Sequence, residues 1–182
     1  MSDPFDLKQY IRTVEDFPIP GIKFRDITSL IETPIAFVKT CEELNKITED
    51  FKATKIASIE SRGFIFAGSI AHELALPFIL ARKPGKLPNE TYKKEFDLEY
   101  GSTSIEIQTN TTIEKEDRIA IVDDLVATGG TAIACAELLT ENFDIKESNI
   151  LILSVIDLPD LGGSKLIKDL GYNIETLISY KE

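Results

Sequence analysis

The stretch from Asn149 to Ile156, NILILSVI, leaves a folding chain little freedom. From Ile150 on, every position except Ser154 is apolar and most favour extended backbone, so no period of two divides an inner face from an outer one. A strand of this kind is buried on both sides, as in a parallel sheet covered by helices. Arg118 to Val122 (RIAIV) has the same character, and Lys55 to Glu60, Phe78 to Arg82 and Asn173 to Tyr180 read as further strands. Phe96 to Gln108 alternates in its second half, with a break at Gly101.

Helical patterns fill the gaps. Asp3-Pro4 starts one that runs to about Val14, and Thr33-Pro34 starts another to about Thr48. A third follows the Ser61-Arg62-Gly63 turn and ends near Leu76, and two more cover 131–142 and 163–170. Alternating strands and helices predict an α/β fold: a mostly parallel twisted sheet with helices on both faces. The chain has 182 residues, with no internal repeat, low-complexity tract or linker, so residues 1–182 read as a single domain.

Composition excludes several classes of function. A net charge of −11 disfavours general affinity for nucleic acid or an anionic membrane. No apolar run approaches the ~20 residues that span a bilayer, and the N-terminus lacks the basic-then-apolar order of a signal peptide. Cys41 and Cys135 lack metal-ligand spacing and suit a reducing cytoplasm; His72 lies on a helical pattern and reads as structural.

Chemistry concentrates where strands end, because ligands of such sheets bind beyond the carboxyl ends of the strands. RIAIV runs into Asp123 and Asp124, then Ala127-Thr128-Gly129-Gly130-Thr131 opens a small-residue helix. The two glycines let backbone N–H groups turn inward, the helix adds its positive end, and the threonines add hydroxyls. This loop suits a phosphate, although it has neither the Walker lysine nor a GxGxxG. Adjacent carboxylates beside a phosphate repel unless they accept hydrogen bonds from a sugar diol or face Mg²⁺. A ribose 5-phosphate group satisfies both halves. The segment 82–94, RKPGKLPNETYKK, sets five basic residues against Glu90 alone, and its Pro and Gly content suits a mobile basic flap over a polyanion such as pyrophosphate.

The stretch AIVDDLVATGGT resembles the phosphoribosyl-pyrophosphate (PRPP) motif of the type I phosphoribosyltransferases. Together with PGIKFRDI (20–27), ESRGF (60–64), RKPGKLP (82–88), DLEYG (97–101) and LPDLGG (158–163), it resembles the adenine-specific branch of that family. The resemblance implies a small hood and a flexible flap on the α/β core. It implies ribose on Asp123 and Asp124, and the 5′-phosphate on Ala127, Thr128, Gly129, Gly130 and Thr131. Pyrophosphate would lie on Ser61, Arg62, Arg82, Lys83 and Lys86, with Arg62 over the reacting centre. Adenine would meet backbone groups at Lys23 and Arg25 and an apolar contact from Leu158, and Glu99 would act as acid/base at the purine. Mg²⁺ would be held mainly through PRPP rather than by a protein site, and AMP and pyrophosphate would be the products of a homodimer. Glu60 stands where aspartate is commoner, and Lys23 where an apolar residue is usual. Two alternatives stay open: transfer to another purine, and a PRPP- or nucleotide-sensing module without turnover.

Overall fold

The computed structural model describes residues 5–98 and 101–181. The chain divides into two compact units, one reaching to Glu43 and the other starting at Leu44.

The first unit holds the antiparallel hairpin β1 (Arg12–Glu15) and β2 (Lys23–Asp26), the short helix α1 (Thr28–Ile31) and the start of α2 (Pro34–Asp50). The sequence predicts a helix as far as Val14; instead a 3₁₀ turn over Leu7–Tyr10 gives way to β1. The cause is local and cross-strand: the Asp6 carboxylate accepts from Lys8 N–H at 3.0 Å, and Thr13 and Val14 pair with Arg25 and Phe24. The hairpin is closed by charge. Arg12 Nη2 donates to Asp26 Oδ2 at 2.9 Å, and Thr28 donates to Asp26 from both its backbone and its hydroxyl. The Thr28 bonds, with Arg12 helping, hold the Asp26 carboxyl below its usual range. The Asp3-Pro4 start lies outside the described residues.

In the second unit the strands are β3 (Lys55–Ile59), β4 (Phe78–Ala81), β5 (Thr91–Leu98), β6 (Gly101–Gln108), β7 (Ile119–Val126), β8 (Ile150–Asp157) and β9 (Asn173–Ser179). The helices are α3 (Gly63–Glu73), α4 (Gly130–Phe143) and α5 (Gly163–Asp169). Five strands form one sheet in the order β4-β3-β7-β8-β9, every pair parallel. All eight residues of β8 are buried, Ser154 and Asp157 among them.

The two faces are covered by different helices. Ala57, Ile59, Ile119, Ile121, Ile150 and Ile152 share one core with Ala132, Cys135, Ala136 and Leu139 of α4. Strand alternation turns Ser58 and Val122 to the other face, and there α3 comes so close that a Cβ on Gly63 would lie 2.7 Å from both Ser58 Oγ and Val122 O. This confirms a mostly parallel sheet with helices on both faces.

The basic segment is only partly a loop. Its last four residues belong to β5, which pairs with β6 as an antiparallel hairpin. Lys94 forms ion pairs with Glu137 (3.0 Å) and Glu141 (2.5 Å) of α4, and the Tyr92 ring meets the Phe143 ring edge-on at 5.4 Å. Two of the five basic side chains, Lys93 and Lys94, are thus engaged by carboxylates at the hairpin, Lys93 by Glu95.

Candidate functional site

The two aspartates lie within β7 rather than after it, and their environments differ. Asp124 is buried, and its Oδ2 accepts from Arg62 Nε at 2.5 Å, while the Arg62 side chain is half-exposed. Asp123 is partly exposed, and its Oδ1 accepts from the Asp124 N–H at 2.8 Å. Burial, then the Asp124 charge, raises the Asp123 carboxyl well above its ordinary 3.8, and Arg62 only partly offsets this. A carboxylate destabilised in this way gains from hydrogen-bond donors or positive charge brought by a ligand.

Beyond Val126 the chain turns through Ala127 to Gly129 into α4. Gly129 has φ +82°, the left-handed region that favours glycine. Among the described residues no side chain caps α4 at Gly129, so the N–H groups of its first turn are left for a ligand or solvent. The loop is anchored from behind by the segment after β8: Leu158 N–H donates to Val126 O at 2.9 Å and Gly163 N–H to Ala127 O at 3.0 Å.

Glu60 links the turns that follow β3 and β4. Its carboxylate accepts from Arg82 Nε (3.2 Å), Arg82 Nη2 (3.3 Å) and the Lys83 N–H (3.1 Å). Burial pushes the Glu60 carboxyl up, but the Arg82 and Lys83 hydrogen bonds and the nearby charges of Arg82 and Lys86 outweigh it and leave it lowered. Arg82 Nη1 also donates to Lys86 O at 3.1 Å, so this guanidinium binds protein on both sides.

These pieces converge on a cavity of about 550 Å³, a volume suited to a nucleotide-sized ligand. Its lining includes Asp123 and Asp124, the whole of Ala127–Thr131, and Ser61, Arg62 and Lys83. Arg82 and the exposed Lys86 lie outside the lining, as does half-buried Leu158. Lys23 and Arg25 belong to the first unit, where Arg25 Nη1 donates to Thr13 Oγ1 at 2.6 Å. Glu99 lies outside the described residues. Sequence reading missed Phe96, Thr103, Ser104 and Ile105, which the β5–β6 hairpin adds to the lining. The strand alternation after Gly101 was the available signal.

Comparison with known proteins gives this geometry its context. The profile of the phosphoribosyl transferase domain matches residues 31–162. An adenine phosphoribosyltransferase of Beijerinckia indica is 44% identical over 181 residues, covering 100% of this chain and 99% of that one. The chain belongs to the adenine phosphoribosyltransferase family. The crystal structure of the family member from Thermoanaerobacter pseudethanolicus superposes with a TM-score of 0.86 at 42% identity, covering 96% of this chain and 98% of that one. An APRTase from Giardia lamblia, complexed with 9-deazaadenine, gives 0.89 at 34% identity and 97% coverage of both chains. The phosphoribosyl transferase domain profile takes in every residue lining the cavity, and it starts after Lys23 and Arg25.

Proposed function

We infer that this protein is an enzyme of purine salvage, transferring the 5-phosphoribosyl group of PRPP to adenine and giving AMP and pyrophosphate. The carrying observation is the pairing, in one cavity, of two carboxylates with a glycine turn that opens an uncapped helix. Phosphate and diol of one sugar phosphate need both.

On this reading the C1′–O bond to pyrophosphate breaks as C1′–N9 forms, and the purine gives up one proton. Positive charge develops on the sugar beside Asp123 and Asp124, and such preorganised charge lowers the barrier. Negative charge grows on the departing pyrophosphate. Ser61, Arg62 and Lys83 of the lining face it, and Arg82 and Lys86 support them, since Arg82 bridges Glu60 to the backbone of Lys86. Glu99 is the proton acceptor at the purine. Backbone groups at Lys23 and Arg25 and the side chain of Leu158 hold the base.

Among the described residues no cluster of three or more His, Cys, Asp or Glu could cage a metal. The carboxylates of Asp123 and Asp124 suit a Mg²⁺ that arrives with PRPP, held mainly by its phosphates. When bound, it supplies positive charge to the leaving group. We further place the enzyme in the cytoplasm, as a homodimer formed from this one phosphoribosyltransferase domain. Both cysteines are buried, among the described residues no helix is long and apolar enough to cross a membrane, and Ile35 and Val38 expose apolar side chains on α2.

Incubation with PRPP, Mg²⁺ and each purine base tests the reading. AMP and pyrophosphate are expected from adenine, with guanine, hypoxanthine and xanthine poor substrates. Comparable turnover of another base overturns the adenine assignment, and no turnover with any base overturns the enzyme.

A further inference from the structure

We infer that Gly163, for which the reaction itself offers no role, is a positioning residue that sets the height of the 5′-phosphate loop from behind. The inference rests on the function proposed above. A Cβ on Gly163 would lie 2.2 Å from Ala127 O, 2.6 Å from Gly129 N and 2.6 Å from Thr128 C. All three are backbone atoms of the loop, so no side chain can swing aside. The approach is reciprocal: a Cβ on Gly129 would meet Gly163 Cα at 3.1 Å and Gly163 O at 3.2 Å. Two glycine backbones therefore touch, pinned by the bond from Gly163 N–H to Ala127 O.

Nothing else about position 163 calls for glycine. It is the first residue of α5, and its φ lies outside the left-handed region that Gly129 and Gly162 occupy. Helix propensity there favours alanine. The close approach alone accounts for the missing side chain. A Cβ would drive the loop forward, into the space where its N–H groups meet the phosphate. The residue acts through the loop and touches no reacting atom.

Gly163→Ala is therefore expected to weaken AMP and ribose 5-phosphate about tenfold or more, while the KM for pyrophosphate in the reverse reaction stays within about threefold. Gly68→Ala is the control, because a Cβ there meets nothing within 4 Å. Circular dichroism and thermal unfolding check each fold. A folded Gly163→Ala protein that binds AMP as the parent does overturns the inference. Equal losses for AMP and pyrophosphate overturn it too, since they mark general damage. Failure of the parent itself to bind AMP removes the functional reading and this inference with it.

Should Gly163→Ala not fold, hydrogen exchange on the parent protein decides. AMP is expected to slow exchange in 158–164 together with 126–131, and to leave α3 around Gly68 unchanged. Protection of 126–131 without 158–164 overturns the coupling.

Discussion

Asp123→Asn is expected to lower kcat by about 10²–10³ and, at neutral pH, to raise the thermal stability of the ligand-free protein. Both effects follow from one charge. Asn keeps the shape and can still accept the Asp124 N–H, but it removes a carboxylate from beside the developing cationic sugar. In the free protein that carboxylate is a cost, because burial and the Asp124 charge raise it well above 3.8. The folded chain then holds more protons than the unfolded one between the two values. Stability is fully present below the unfolded value, about 3.9, and is lost as pH rises through the raised folded value. The variant escapes that loss, so its advantage in Tm should be present at pH 7 and fade toward pH 4. Rate measurements and unfolding scans across that range check it. An unchanged kcat, or a Tm below the parent's at pH 7, contradicts the account of this residue.

Gly129→Val should be more severe for binding, with AMP and PRPP affinity falling by about 10² or more. At φ +82° a β-branched side chain is strained, and a Cβ would press on Gly163 at 3.1 Å. The loop must shift, and its N–H groups lose their common focus. Titration of the folded variant with AMP measures the loss. Normal AMP affinity would reduce Ala127–Thr131 to a plain connection between β7 and α4.

What the sequence made legible was whatever a single segment carries. The apolar runs Ile119–Val122 of β7 and Ile150–Ile156 of β8 can be read without a partner, because burial on both sides leaves Ser154 as the one polar residue of the β8 run. The Asp123-Asp124 pair and the glycine turn that follows β7 are local for the same reason. β1 was misread because all four of its residues are exposed and show no inward face; only pairing with β2 makes it a strand. The cavity wall from the β5–β6 hairpin depends on register, with Phe96 opposite Thr103. The engagement of Arg82 by Glu60 joins turns 22 residues apart and looks, in sequence, like two unrelated charges. Least legible was Gly163. Its contact with residues 127–129 is backbone against backbone, and no side-chain pattern reports it.

A crystal structure of the protein with AMP tests whether one sugar phosphate bridges the β7 carboxylates and the glycine turn. The phosphate is expected on backbone N–H groups of residues 128–131 and the ribose hydroxyls on Asp123 and Asp124. A phosphate seated instead on Ser61, Arg62 and Lys83, with the glycine turn empty, would contradict it.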